Sequence, residues 1–425
     1  MTLPRIFFIL TLAGFLNSVF AEPLEISFWH SMAGHLGEEV EKIVSGFNAS
    51  QKKFRIKPVY KGDYLETLTG FAAAFRAGQP PAMIQIFEVG TRAMLAPKGV
   101  IKPIDELMLH QPVQLPKSSF FSAAREYYTV NGVLMAMPFN LSVPVIFYNQ
   151  DALAAVGYDE KNFPKTWQEF EILAAKLHKA GHQCVYTTGH PAWILMESFS
   201  AIHGLGMFAE NGNQAVYDNP PVLHHLERLL EWQKKQYFEY GGRSDDATVL
   251  FTSGRCPLYS QSSGGYNSFA AMASFRIGVA SLPYDADISP KRFNNVTGGA
   301  AIWVVSGLPD KVYEGIAEFF IYFSRPEVQL QWHLNTGYLP LGTKGAYQKL
   351  PALSAHPTLV LAQKELTENT DEAVRGLTGI HNQIRQINDE ELESMFSGIK
   401  SPAKALHDAV SRANHALIRF KRNTQ

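Results

Sequence analysis

Cysteine is scarce in this 425-residue chain, which has only Cys184 and Cys256. A disulfide-dense miniature scaffold and a multi-cysteine zinc module are therefore excluded. An excess of one charge sign is also lacking, since 38 Lys and Arg face 39 Asp and Glu and leave a formal net charge of -1. No broad basic surface is available for a nucleic acid backbone, and no nucleic acid partner is expected. There is no apolar run of the ~20 residues that a bilayer-spanning helix needs. G-x-S-x-G, a Walker P-loop and H-E-x-x-H are absent, which removes support for the enzyme classes built on them. Internal repeats, long Gly/Ser linkers and charge blocks are missing too. What remains is a chain made for a core, with 46% apolar, 12% aromatic and only 18% charged residues, the last against roughly 25% in an average soluble protein. The length suggests two or three folded units at ~150 residues each.

The first residues are a targeting signal. Arg5 supplies positive charge, Ile6 to Leu16 an apolar stretch about half as long as a membrane span, and Asn17 to Ala21 the small residues before a cut. Residues 1–21 read as a secretory signal peptide. No cysteine stands at the cut to carry a lipid, so the mature protein is expected free beyond the inner membrane. There, Cys184 and Cys256 are chemically permitted to pair, but a bond and two buried thiols are equally compatible with their strand-like contexts.

In the mature chain, short apolar runs alternate with helical patterns, the mark of an α/β architecture. Leu24 to Trp29 alternates as an opening strand. His35 to Gln51 then sets Val40, Ile43, Val44 and Phe47 on one helical face. Met83 to Phe87, Val143 to Tyr148, Cys184 to Thr187, Ile277 to Leu282 and Ala301 to Val305 are further strands. Thr166 and Glu169 form a capping box for a helix ending at Gly181. Ser401-Pro402 opens the last helix. The run Asp389-Glu-Glu-Leu-Glu393 is expected at a helix N-terminus, where the dipole favours acidic charge.

Neither metal chemistry nor catalysis is indicated. His224 and His225 are adjacent on a helix and diverge by about 100°, while Gly181 breaks the helix between His178 and His182. No metal, cofactor or catalytic residue is expected. Hydroxyls and glycines do gather at four places, Phe139 to Pro144, Gln261 to Gly265, Thr297 to Gly299 and Thr336 to Pro340. Such segments offer backbone N–H groups and hydroxyl donors to an oxyanion, although each alone is also an ordinary turn.

Several of these stretches belong to a wider pattern. Phe28-Trp-His-Ser-Met32, Tyr60-Lys-Gly-Asp-Tyr64, Phe75-Arg-Ala-Gly78, Gln85-Ile-Phe-Glu-Val-Gly-Thr91, Pro138-Phe-Asn140, Pro283-Tyr-Asp-Ala-Asp287, Gly298-Gly-Ala-Ala-Ile-Trp303, Thr336-Gly-Tyr-Leu-Pro340 and Asp389-Glu-Glu-Leu-Glu-Ser394 run through nearly all of the mature chain. Together they resemble the periplasmic sn-glycerol-3-phosphate-binding proteins of ABC importers, within extracellular solute-binding protein family 1. The resemblance implies a periplasmic binding protein-like type II fold, two α/β lobes with a ligand cleft between them. It places lobe 1 at 22–142 plus 299–340 and lobe 2 at 143–298 plus 341–425, with crossings near Ser142, Gly299 and Pro340. It implies a monomeric, non-enzymatic receptor in the periplasm. The receptor would bind sn-glycerol-3-phosphate or glycerophosphodiesters such as glycerophosphocholine and deliver them to an inner-membrane permease.

Matched to the family residue by residue, the ligand contacts are Tyr64, Glu88, Ser142, Trp193, Ser262, Gly299, Tyr338 and Arg385. Ser142, Ser262, the Gly299 N–H and the Tyr338 hydroxyl would donate to phosphate, and Arg385 would grip two of its oxygens. Glu88 would accept from the glycerol diol and repel a second phosphate. Tyr64 would add a hydroxyl contact and Trp193 an apolar wall. By residue type alone, Tyr338 is equally a core tyrosine, and Arg385 a surface partner of Asp389 at i, i+4. The chain departs from the family at His190, in Gly189-His190-Pro-Ala-Trp193, where the family carries a first tryptophan. The imidazole could add a phosphate donor or admit a different head group. Two other functions remain open, an oligosaccharide receptor of the same fold and a secreted glycerophosphodiester hydrolase.

Overall fold

The computed structural model describes residues 22–109, 120, 125–210, 212–339, 341, 356–367 and 380–424. The expected signal peptide and the crossing at Pro340 lie outside the described residues. Among the described residues, no helix is long and apolar enough to cross a membrane.

Local sequence chemistry accounts for the early elements. Alternation buries Ile26, Phe28 and His30 from β1 (Leu24–His30). Helix α1 (Gly34–Ser50) buries the expected Val40, Ile43, Val44 and Phe47. Strand β2 (Phe54–Tyr60) was not among the expected strands. It carries Pro58 and lies at the sheet edge, beside β1 alone, where a missing N–H is tolerated. Asp63 caps α2 (Tyr64–Arg76) through a capping box with Glu66, and β3 (Met83–Phe87) follows, buried at every position. A short hairpin, β4 (Thr129–Val130) and β5 (Val133–Leu134), precedes β6 (Met137–Ser142) and β7 (Pro144–Asn149). The capping box at Thr166 and Glu169 opens α3 (Trp167–Lys179) as expected.

Two main sheets result. The first has the order β2-β1-β3-β11-β6, where β11 (Gly298–Val304) runs antiparallel to both β3 and β6. The second has the order β10-β7-β9-β8, built from β8 (Tyr186–Thr188), β9 (Leu258–Ser262) and β10 (Ile277–Ala280) with β7. Only Val143 separates β6 in the first sheet from β7 in the second. One apolar core packs on the first sheet and continues through Val145, Phe147 and Tyr259 onto one face of the second. The other core lies on the opposite face of the second sheet. It is filled from α3, from α4 (Pro220–Lys234) and from the last two helices, α5 (His381–Phe396) and α6 (Pro402–Thr424).

Cys184 and Cys256 form a disulfide with Cα atoms 4.7 Å apart, which decides the alternative that the sequence left open. They lead into the neighbouring parallel strands β8 and β9, so the bond ties together two segments 72 residues apart. The acidic run at Asp389 is a correction. Helix α5 begins at His381, so the run sits in its second half, where the dipole gives it no help. Side chains hold it instead, because Lys400 and Arg412 pair with Glu391, and Arg412 also pairs with Glu390.

Candidate functional site

The site is organised by the place where the chain changes sheets. β11 pairs with β6 through Gly298 opposite Ser142 and Gly299 opposite Leu141, and a bulge follows between Ala300 and Ala301. Gly299 has a φ of +132°, and a methyl there would lie 2.1 Å from the Asn140 carbonyl oxygen. Only glycine fits this position. A methyl on Gly298 would come within 2.6 Å of the Trp193 ring and 3.3 Å of Ser142 Oγ, so Ser142, Trp193 and the Gly298-Gly299 backbone occupy one place.

On the first-sheet side, a buried polar chain runs along the strand ends. Gln85 Oε1 accepts from the Ser31 N–H at 2.9 Å and Gln85 Nε2 donates to Asn140 Oδ1 at 3.1 Å. Asn140 Nδ2 in turn donates to the Tyr64 hydroxyl at 3.4 Å. Tyr64 stacks on Phe87 with ring centroids 5.2 Å apart, at the first turn of α2. Tyr338 shares hydrogen bonding with Tyr64 and stacks on Trp332 at 5.8 Å. Its ring covers Gly264, whose substitution by any side chain would clash with it. Burial pushes both phenols above their ordinary value, so they remain protonated donors. Ser262 ends β9 beside this contact. Its Oγ accepts from the Gly264 N–H at 3.2 Å and keeps its own hydrogen to donate.

On the second-sheet side, residues Ala192–Ser198 wind as a π-helix, a form that recurs at functional sites. It presents Trp193 and Glu197, both buried. Arg385 on α5 binds Glu197 bidentately, Nε to Oε1 at 2.9 Å and Nη2 to Oε2 at 2.7 Å. Its Nη1 reaches Glu88, just past the end of β3 in the first sheet, at 3.0 Å. His381 Nε2 lies 3.3 Å from Glu197 Oε1. Burial alone would raise the Glu197 carboxyl, but Arg385 and His381 outweigh it and hold it well below the usual range. Burial also opposes the Arg385 charge, yet Glu197 and Glu88 outweigh that and raise the guanidinium. This ion triad is the only described place where Arg385 has partners. The surface pairing with Asp389 that the sequence left open is not formed.

His190 adjoins the same π-helix, with a positive φ of 43° and its ring 6.2 Å from that of Trp193. Its Nε2 is 3.4 Å from Asp245 Oδ1. Burial disfavours the imidazolium, but Asp245 more than compensates and raises the imidazole above its ordinary value. Asp389 Oδ1 accepts from the Ala192 N–H at 2.9 Å, and burial pushes its carboxyl up to about 6.

The structure thus brings Tyr64, Glu88, Ser142, Trp193, Ser262, Gly299, Tyr338 and Arg385, with His190, into one connected zone between the sheets. Glu197, Asn140 and Asp245 join them and were not foreseen. Glu197 had a visible signal, a single acid within the otherwise uncharged, largely apolar stretch from Trp193 to Ile202, since a buried acid needs a cation. Chemically, the zone combines hydroxyl and backbone donors, a guanidinium with an Nη1 and an Nη2 hydrogen still uncommitted, aromatic faces and an excess of carboxylates.

Comparison with known proteins gives a consistent assignment. A family model described as a bacterial extracellular solute-binding protein matches residues 42–360. The sn-glycerol-3-phosphate-binding periplasmic protein UgpB of Escherichia coli O1:K1 is 40% identical over 413 residues, covering 94% of both chains. Its namesake from Yersinia pseudotuberculosis is 39% identical over 414 residues, covering 93% of each. Among solved structures, UgpB from Mycobacterium tuberculosis in complex with glycerophosphocholine superposes with a TM-score of 0.79 at 19% identity, over 93% of this chain and 99% of that one. The GacH receptor of Streptomyces glaucescens, solved with acarbose, gives 0.79 at 16% identity, over 93% and 98%. These structural likenesses establish the two-lobed α/β fold.

Proposed function

This chain belongs to the bacterial extracellular solute-binding protein family, and on that premise we propose that it is the periplasmic receptor of an ABC importer for sn-glycerol-3-phosphate or glycerophosphodiesters. Its relatives are binding proteins rather than enzymes, and its work is capture and delivery. The observation that carries the ligand reading is convergence. Residues as far apart in sequence as Glu88 and Arg385 meet where the two sheets exchange the chain, in a zone rich in neutral hydrogen-bond donors.

In this reading, the lobes divide at 142/143, 298/299 and 340/341, and the ligand lies between them. Ser142, Ser262, the Gly299 N–H and the Tyr338 hydroxyl donate to phosphate oxygens, while Arg385 contributes its uncommitted Nη hydrogens. Glu88 accepts from the glycerol hydroxyls, with Tyr64 beside it, and Trp193 walls the carbon chain. Where a diester carries a quaternary ammonium, the Trp193 face and the Asp245 carboxylate near His190 suit a cation. Groups from both lobes touch the ligand, so the closed state gains contacts the open state lacks and its population rises. The receptor acts as a monomer and hands its cargo to the inner-membrane permease.

A thermal-shift panel tests this. A true ligand at 100 times its dissociation constant adds about 2.7 kcal/mol of stability. The expected result is stabilisation by glycerol-3-phosphate or glycerophosphocholine and none by maltodextrins. Stabilisation by maltodextrins alone would replace this function with the oligosaccharide one.

A further inference from the structure

The buried polar chain of the first sheet has a direction. The Ser31 N–H is a backbone group and can only donate, so the Gln85 atom it meets at 2.9 Å is the amide oxygen. Gln85 therefore turns its Nε2 to Asn140 at 3.1 Å, and since an amide NH2 can only donate, Asn140 receives it on Oδ1. Asn140 is left with its own Nδ2 facing the phenols, where it donates to the Tyr64 oxygen at 3.4 Å. Gln85 and Asn140 are 0% and 3% exposed, so bulk water does not satisfy a reversed amide. One fixed donor at Ser31 thus sets the orientation of two side-chain amides, either of which has no preferred face of its own.

That orientation decides a count of hydrogens. Tyr64 and Tyr338 carry one phenol hydrogen each, and one of the two is used between the rings, whichever ring gives it. With Asn140 donating, the other is left over, and on Tyr338 it reaches only Met32 Sδ at 3.8 Å, a weak acceptor. A phosphate oxygen is a much stronger acceptor and takes that hydrogen over. With Asn140 reversed, its carbonyl would accept from Tyr64 and no phenol hydrogen would remain for a ligand. We infer that Gln85 is a positioning residue of the ligand site: by passing the direction of the Ser31 N–H on to Asn140, it keeps one hydrogen of the Tyr64 and Tyr338 pair available to a ligand oxygen. The inference rests on the proposed glycerophosphate reading, in which both tyrosines are ligand contacts, and adds to it a residue that acts through them.

The test is a double-mutant cycle on the mature protein, titrated calorimetrically with glycerol-3-phosphate and with glycerophosphocholine. Gln85→Met keeps the length of the side chain but removes both hydrogen bonds, which frees the Asn140 amide to turn its oxygen to Tyr64. It should lower the affinity for whichever ligand binds by about tenfold, the worth of one hydrogen bond. Tyr64→Phe removes the hydroxyl through which Asn140 acts and should cost a similar factor. Adding Gln85→Met to Tyr64→Phe should then cost less than about twofold more, whereas a residue that merely supports the sheet would cost the same in both backgrounds. Gln85→Glu serves if Gln85→Met does not fold, because it still accepts from the Ser31 N–H. Its second oxygen, when ionised, also only accepts and draws Asn140 Nδ2 away from Tyr64, so its cost should likewise shrink in Tyr64→Phe. Equal costs with and without the Tyr64 hydroxyl, or an affinity that Gln85→Met or Tyr64→Phe leaves unchanged, overturn the inference while the glycerophosphate reading stands. If the wild-type chain binds neither ligand, that reading fails and the inference with it.

Discussion

Replacing Arg385 with Ala should damage the fold as well as the site, and the structure sets the size of the effect. The substitution strips two buried carboxylates, Glu88 and Glu197, of the cation that all three of its hydrogen-bonding nitrogens serve. Removing one partner of a buried ion pair costs about 3 to 5 kcal/mol, because the remaining charge is left without compensation. Two stranded acids place Arg385→Ala in the upper part of that range at pH 7.5, measured by urea unfolding without ligand. The pH dependence provides a second constraint. In the wild-type chain, Glu197 is held below its unfolded value, so its contribution is present above that value and is lost as pH falls. In the variant, burial acts without Arg385 and raises the carboxyl, so the folded state takes up a proton as the pH drops below neutral. The stability gap between the two proteins should therefore narrow from pH 7.5 to pH 5. A gap under about 1 kcal/mol at pH 7.5, or one that does not change with pH, would refute the buried-triad argument.

Further consequences can be measured alongside. Reducing or replacing the Cys184–Cys256 bond should destabilise the second lobe by about 4 kcal/mol, the chain-entropy value for a loop of this length; thiol labelling of the denatured, unreduced protein should find no free cysteine. Gly299→Ala must move the Asn140 carbonyl or abandon the β11 bulge, so it should lower stability by more than about 1 kcal/mol and abolish ligand-induced thermal shifts. Asp389 has a folded value raised to about 6. Its contribution is therefore greatest at low pH and is lost as pH rises through about 6. Asp389→Asn should flatten the fall in stability between pH 4 and 7, and an unchanged slope in denaturation curves would contradict that assignment.

The parts of the fold that were legible in the sequence are those decided by neighbours in the chain. The buried face of α1 follows from Val40, Ile43, Val44 and Phe47 at helical spacing, and α3 from the reciprocal bonds of Thr166 and Glu169. Strand β2 was hidden because Pro58 argues against a strand until its edge position is known. The acidic run of α5 was misplaced because nothing local marks His381 as the helix start, while the cations that hold the run come from the next helix and the turn before it. In the site, the family resemblance picked out Glu88 and Arg385 but not their direct pairing. Arg385 reaches Glu197 across 188 positions and Glu88 across 297, and no periodicity carries such distances. The π-helix that aims both Trp193 and Glu197 at the sheet junction likewise has no local signature.

The central claim is that groups from both lobes close on one small glycerophosphate. Calorimetric titration of the mature chain with glycerol-3-phosphate and glycerophosphocholine, repeated on Ser262→Ala, tests it most directly. The account predicts saturable one-to-one binding of at least one of them and an affinity lowered about tenfold in the variant, the worth of one hydrogen bond to a charged group, with stability lowered by no more than about 1 kcal/mol for the lost cap on the Gly264 N–H. No heat from either ligand, or an affinity that Ser262→Ala leaves unchanged, would contradict it.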